Sequence, residues 1–566
     1  MYIPTTKIEL KELDWEELDV IIVTGDAYID TPYDGAAVIG KWLIKNGYRV
    51  GIISQPTLQS DEDILRLGIP KLFWGVTAGC VDSMVANYTA TNKRRSLDDL
   101  TPGGYNILRP DRATIKYVNL IRQFCKKNVP IVIGGIEASL RRIVHYDYWD
   151  NKIRRSILFD SKADYLIYGM AEKSILEFAN SIKNNQDLTN IRGLCYISKT
   201  KIDDHIQLPS YEEVLNSNSK LIEMFEIFYS NNEPTSSNGL SQKTGDRYLI
   251  HNPPQFYPTQ SEIDNYFDLD FEYDAHPFYK QKGKVKALET IKQSIISHRG
   301  CFGECNFCAI AVHQGRKVIS RSVHSIIKEV QKISSKPNFN GIIYDVGGPS
   351  ANMYGMDCKK FNEHCHARRC LYPKKCKNLN NNHNDYLKLL DEISKISRIK
   401  KIFISSGIRF DLALNDNNYG EKFIYRLSEK YVSGQLKIAP EHISKNVLEA
   451  MGKTVNKEDL VIFRDKFMEY SKKARKNQYL TYYFMAAHPD CCQNDMIELR
   501  NFSRNNLKIY PKQIQIFTPT PSTYSTLMYY TEFNPFTNKK IFVEKSNQNK
   551  QKQKDILLQS TNKRRK

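Results

Sequence analysis

The sequence predicts an α/β protein: an N-terminal doubly wound domain followed by a partial (β/α)6 barrel. Two observations carry this. Short apolar runs alternate with helix-length amphipathic stretches in two separate series, the pattern of parallel strands joined by helical crossovers. The chain also has 566 residues, more than one hydrophobic core organises, since cores stop growing at about 250–300 residues.

The first series occupies 1–200. Asp19-Val20-Ile21-Ile22-Val23-Thr24 is a buried-strand run, the stretch from Gly35 to Asn46 has helical spacing and stops at Gly47, and Arg49-Val50-Gly51-Ile52-Ile53 is the next strand. The βαβ pattern continues through Lys71–Gly75, Val129–Gly135 and Ala163–Gly169. Residues 201–285 are polar and turn-rich, with one helical stretch near 211–229, and read as a connector. The second series fills 286–530. Its strands are expected at Ser294–His298, Gly341–Val346, Lys401–Ser406, Gln435–Ala439, Leu480–Ala486 and Gln513–Phe517, with helices near 322–334, 384–396, 420–431, 444–451, 456–474 and 494–506. Sites in such barrels lie at the C-terminal strand ends. Residues 531–566 form a basic tail, expected to be mobile: from 539 onward it holds ten Lys/Arg against two Asp/Glu.

Composition narrows the function classes. No run of about 18 apolar residues occurs, which argues against a membrane-spanning helix. The start, Met1 to Trp15, is polar and mixed in charge, so no secretory signal is read and the expected compartment is the cytoplasm. The net charge of +19 leaves RNA open as a partner or substrate, although residues 539–566 contribute +8 of it. Seven of the twelve cysteines fall in 301–376, where an even spread would put about 1.6. In a reducing compartment, clustered thiols indicate metal or redox chemistry.

Cys301, Cys305 and Cys308 follow the first barrel strand with C-x3-C-x2-C spacing, and Phe307 precedes the last thiol. Thiolates are the usual ligands of iron–sulfur clusters. Three on one short loop can hold three irons of a cubane and leave the fourth open. Gly300 and Gly303 permit the tight backbone path. A structural zinc site more often uses paired C-x2-C knuckles and four protein ligands.

This motif at the end of a first barrel strand resembles the radical S-adenosylmethionine (radical SAM) superfamily. The resemblance implies a [4Fe–4S] cluster on Cys301, Cys305 and Cys308, whose open iron chelates SAM. Reductive cleavage would then yield a 5′-deoxyadenosyl radical that attacks a substrate. It also implies an electron donor of flavodoxin or ferredoxin type. Asp345-Val346-Gly347-Gly348-Pro349-Ser350 is similar to the superfamily's Gly-Gly-Glu turn against the SAM amino group. Pro349 replaces the acid, so only Gly347 and Gly348 carry the role over, and an ordinary Gly-Gly turn is the alternative. Glu441, in Ala439-Pro440-Glu441-His442, is similar to the strand-end Glu that accepts from the SAM ribose; the alternative is a helix N-terminal Glu. Further segments, among them Val23–Asp30, Gly134–Arg142, Val346–Met356, Ser406–Asp411 and Phe517–Ser522, are similar to the YgiQ-type radical SAM proteins over roughly 15–545. That resemblance assigns neither the substrate nor the catalytic residues.

Cys358, Cys365, Cys370 and Cys376 form a second set inside a Cys-rich insertion, 356–380, with His364, His366, Arg368 and Arg369 among them. They suit an auxiliary iron–sulfur cluster or zinc, or are thiols without metal. The N-terminal domain resembles the cobalamin-binding domains that several radical SAM enzymes carry. No Asp-x-His-x-x-Gly turn supplies a lower axial histidine, so the expectation is a cobalamin-binding-like fold without cobalamin. The functional expectation is therefore a radical SAM enzyme. A metal-containing nucleic-acid-binding protein, or a radical SAM enzyme that modifies RNA, is the alternative.

Overall fold

The computed structural model describes residues 1–360, 365, 369–454 and 456–558. The first series builds one sheet from β1 (Val20–Thr24), β2 (Val50–Ser54), β3 (Phe73–Thr77), β4 (Ile131–Gly134), β5 (Tyr165–Ile167), β6 (Leu194–Ser198), β7 (Ile206–Leu208), β8 (Leu240–Thr244) and β9 (Arg247–His251). Their order is β2-β1-β3-β4-β5-β6-β9-β8-β7. The first five in that order run parallel, with Val20 opposite both Val50 and Phe73. Every residue of β1 and β2 is buried, as a strand covered on both faces requires. The covering helices include α1 (Gly35–Lys45), α2 (Ala113–Phe124), α3 (Gly135–Leu140) and α4 (Glu172–Lys183). Asp34 caps α1 by accepting from Ala36 N–H at 2.9 Å.

The stretch 201–285 is not a mere connector. It supplies β7, β8 and β9, and the β8–β9 hairpin joins the sheet where β9 runs antiparallel to β6. Its polar composition concealed this because the polar side chains are satisfied inside. Gln242 is buried, accepts from Val144 N–H at 3.0 Å and donates to the Pro209 carbonyl at 2.9 Å.

The second series contains β10 (Ser294–Ile296), α5 (Val323–Ser335), β11 (Ile342–Ile343), β12 (Asp345–Gly347), α6 (Asn384–Ser394), β13 (Lys401–Ile402), α7 (Gly420–Arg426), β14 (Gln435–Glu441), α8 (Lys445–Met451), α9 (Lys457–Lys473), β15 (Tyr479–Ala486), α10 (Gln493–Asn505) and β16 (Gln513–Ile516). β11 and β12 are two halves of one barrel strand broken at Tyr344, so the barrel has the six strands that periodicity placed. All pair in parallel: β10 with β12, β11 with β13, β14 with β15, and β15 with β16. An Ile408–Ile438 bridge carries the circuit from β13 to β14.

The tail also departs from expectation. After α11 (Tyr524–Thr531), the helix α12 (Asn547–Leu558) packs on α10, β15 and β16. Lys550, Gln553 and Leu557 are buried in that contact. Lys550 Nζ donates to Tyr148 at 3.0 Å and Tyr529 at 2.8 Å, and lies 4.9 Å from both ring centres. Burial, with Lys545 adding, lowers its pKa to about 8. A helix docked by a lysine and a glutamine leaves little apolar periodicity to read. Residues 559–566 lie outside the described residues. Among the described residues, no helix is long and apolar enough to cross a membrane.

Candidate functional site

The C-terminal edge of β10 leads directly into the three-cysteine loop. At Gly300, φ is +80° and a Cβ would collide with the Lys317 carbonyl, so glycine is required there. Cys301 Sγ accepts from Gly303 N–H at 3.3 Å. A Cβ at Gly303 would sit 3.1 Å from Arg409 Nη1, 3.2 Å from Cys301 Sγ and 3.8 Å from Cys305 Sγ. A guanidinium and two thiols thus converge around a residue that has no side chain. Burial pushes the Cys308 thiol up to about 12, and Cys305, Cys301 and the Glu441 carboxylate add to the rise. Burial raises the Cys301 thiol too. A bound metal ion would reverse that, because a coordinating thiol is deprotonated.

Asn306 fixes this loop to α8. Its backbone N–H donates to the Met451 carbonyl at 2.8 Å and its Nδ2 to the Ala450 carbonyl at 2.8 Å, while its Oδ1 accepts from Arg369 at 2.5 Å. Glu304, between the first two cysteines, has φ of +44° and pairs with Arg316 at 3.0 Å and Tyr229 at 2.6 Å.

The Gly-Gly turn after β12 lies against the loop. Ser297 N–H and Oγ donate to the Gly347 carbonyl at 2.7 and 3.0 Å. A Cβ at Gly348 would be 2.6 Å from the His298 ring. The Ser350 side chain lies near enough to the Cys301 thiol to offset part of the rise that burial causes, which brings the end of the turn to the thiols. Glu441 ends β14 after an irregularity in register, with a left-handed φ of +68°. Such strain in a non-glycine residue gathers at functional sites. Burial raises its carboxyl pKa, while Lys453 at 3.7 Å and Arg409 pull it down. The fold therefore brings together the three cysteines, Gly347, Gly348 and Glu441.

Arg409, which sequence reasoning did not single out, lies among them. Its segment, Ser406–Asp411, offered the signal, but nothing local marked which residue faces the thiols.

The second cysteine set sits beside the first. A two-residue ribbon, Asp357–Cys358 with Leu379–Asn380, closes the insertion, and Cys376 N–H donates to the Cys370 carbonyl at 2.8 Å. Burial raises the Cys370 thiol to about 12, with Glu304, Cys358, Cys376 and Cys365 contributing. Cys301, Cys370 and Cys376 share an apolar wall that includes Phe302, Met353 and Met356. Arg369 is turned toward Asn306; His364, His366 and Arg368 lie outside the described residues. Among the described residues, no three His, Cys, Asp or Glu side chains are close enough to hold a single metal ion. A cubane spreads its ligands more widely than one ion does, so the three-cysteine loop still suits a cluster.

Sequence reasoning also missed a cavity of about 500 Å³ between the C-terminal edge of the sheet and the barrel. Its walls are mostly aliphatic, from Ile22, Val38, Val132 and Ile175, and it opens onto Gly347, Gly348 and His298. His298 is fully buried and its pKa is lowered to about 4 by burial. Its Nδ1 lies 2.9 Å from Ser297 Oγ, and its Nε2 has no hydrogen-bond partner among the described residues.

The comparisons agree with this architecture. Residues 2–294 match the family described as Radical SAM N-terminal. A UPF0313 protein of Fusobacterium nucleatum is 54% identical over 99% of this chain and 99% of its own length. One from Thermotoga neapolitana is 46% identical over 99% of this chain and 98% of its own. Among solved structures, the radical SAM methyltransferase TsrM from Kitasatospora setae, with cobalamin and a [4Fe-4S] cluster bound, gives a TM-score of 0.51 at 13% identity, covering 90% of this chain and 77% of that one. The cobalamin-dependent radical SAM enzyme OxsB, with aqua-cobalamin and SAM bound, also gives 0.51, at 11% identity, covering 96% of this chain and 56% of that one. These likenesses show the fold, and they lend no support to the expectation that cobalamin is excluded. With the N-terminal half matching a radical SAM family and full-length relatives at this identity, the chain is a radical SAM-type enzyme and belongs to the UPF0313 proteins.

Proposed function

We propose that Cys301, Cys305 and Cys308 ligate a [4Fe–4S] cluster, and that Gly347, Gly348 and Glu441 hold SAM beside it. The observation that carries this reading is the convergence at Gly303, with Ser350 on Cys301 and Glu441 next to Cys308. Bound there, the cluster would supply the electron that cleaves SAM to methionine and a 5′-deoxyadenosyl radical. The chain's own groups have separable tasks. Gly300 and Gly303 let the backbone wrap closely, and the Gly303 N–H orients the Cys301 sulfur. The Glu441 carboxylate accepts from ribose hydroxyls. Phe302, Met353 and Met356 keep water from the thiols. A soluble electron donor of flavodoxin or ferredoxin type completes the reading, and Cys358, Cys365, Cys370 and Cys376 form a second thiolate metal centre.

Anaerobically reconstituted protein with reductant and SAM should yield 5′-deoxyadenosine by mass spectrometry, and Cys305→Ala should yield none. Normal cleavage by that variant would refute the assignment. Iron and zinc contents that are unchanged in Cys365→Ala would sink the second centre.

A second cofactor reading rests on the cavity. TsrM and OxsB carry cobalamin, and the aliphatic cavity here lies between the doubly wound sheet and the Gly347–Gly348 turn. The missing axial histidine removes one protein ligand to cobalt, not the seat for a corrin. Hydroxocobalamin should co-elute with the protein on anaerobic gel filtration, and Val38→Trp should abolish this. No co-elution with the wild-type chain would reject this reading.

A further inference from the structure

We propose that Arg409 is a positioning residue that sets the reduction potential of the cluster held by Cys301, Cys305 and Cys308. The proposal rests on the reading above that these thiols bind such a cluster. Arg409 is 9% exposed. Its Nη1 lies 4.0 Å from Cys305 Sγ, and the absence of a side chain at Gly303 is what lets it approach both thiols.

The other edge of the guanidinium is held by Asp411, through Nε at 2.8 Å and Nη2 at 2.5 Å. The backbone is clamped as well. Asn352 Oδ1 accepts from Arg409 N–H at 2.8 Å, and Asn352 Nδ2 donates to the Arg409 carbonyl at 2.9 Å. Asn352 is fully buried in the segment that follows the Gly347–Gly348 turn, and Ala351 N–H donates to the Gly407 carbonyl at 3.0 Å. One buried cation is thus fixed on three sides, with its free edge aimed at sulfur.

Two consequences follow from charge. A fixed cation offsets the cost of gathering several thiolates away from water. It also stabilises the reduced, more negative cluster over the oxidised one, since net charge and hydrogen bonds to sulfur set cluster potentials. Arg409→Gln therefore lowers the potential. Asp411→Asn removes the counter-anion and raises it. The expected change is at least tenfold in the reduced-to-oxidised ratio at a fixed solution potential, about 59 mV for a one-electron couple.

The test is an EPR-monitored redox titration of anaerobically reconstituted wild-type, Arg409→Gln, Arg409→Lys and Asp411→Asn proteins, with iron counted on each. Opposite shifts in Arg409→Gln and Asp411→Asn at wild-type iron content support the proposal. If Arg409→Gln loses iron, recovery of iron in Arg409→Lys supports the charge role. Loss in both, with an unchanged unfolding midpoint, supports the positioning role. Equal iron and equal potential across the four proteins overturn it while leaving the cluster reading intact. A wild-type chain that takes up no cluster overturns that reading instead, and this proposal with it.

Discussion

Asn306→Ala should loosen the cysteine loop without touching a thiol. The substitution deletes the Nδ2 bond to the Ala450 carbonyl and the Oδ1 bond from Arg369, while both backbone bonds, to Met451 and from Ser525, remain. An ordinary hydrogen bond contributes about 0.5–1.5 kcal/mol and one to a charged group about 1.5–3. The loop should therefore open more easily by about 2–4.5 kcal/mol. At about 1.4 kcal/mol per tenfold, that is roughly a 30- to 1,600-fold larger open population. The assay is the rate at which an iron chelator strips anaerobically reconstituted protein, with Asn306→Asp as a second variant. Aspartate keeps the Arg369 contact but sets an acceptor against the Ala450 carbonyl, so its rate should fall between the other two. An Asn306→Ala rate within threefold of wild type would refute the idea that this side chain holds the loop shut.

Gly348→Ala drives a methyl to within 2.6 Å of the His298 ring, and overpacking of this kind costs about 1–3 kcal/mol. Gly407→Ala, whose nearest neighbour is 4.0 Å away, is the control; equal unfolding midpoints would refute the steric argument. Gln553 accepts from Ala487 N–H at 2.9 Å and donates to the Cys491 carbonyl at 3.0 Å. Gln553→Ala strands both groups, at about 1–3 kcal/mol each, and limited proteolysis should cut ahead of α12; a resistance equal to wild type counts against its docking role. Burial lowers His145 to about 4 and His488 to about 3. Both are neutral in the folded and unfolded chain above pH 6.5. Below it the unfolded chain gains protons that the folded one refuses, so stability falls as pH drops from 6.5 toward 4. For His145 alone the loss approaches roughly 3 kcal/mol, read as denaturation midpoints at successive pH values; a flat profile between pH 7 and 5 would contradict it.

The strands that were legible are those whose signal is local. β1 and β2 are buried along their whole length, so they read as unbroken apolar runs. The barrel helices reveal themselves by one apolar stripe each. β7, β8 and β9 were not legible, because a buried strand carrying Ser241 and Gln242 has no apolar period. Helix α12 escaped for the same reason: Lys550 and Gln553 are polar in the sequence and satisfied in the fold.

The sequence by itself determined the proposed ligand set, since Cys301, Cys305 and Cys308 share one short loop and their spacing is a local property. It also determined the two alternating series, since burial on one face leaves a period in the chain and burial on both leaves an unbroken apolar run. Only the tertiary structure decided what surrounds the thiols. Arg409 is 104 positions from Cys305, and Asn306 is tied to Ala450 across 144 positions. The cavity between sheet and barrel has walls from both series, and its aliphatic residues look like any other core residues in the sequence. Contacts of that separation depend on how the two series pack, and no local pattern encodes them.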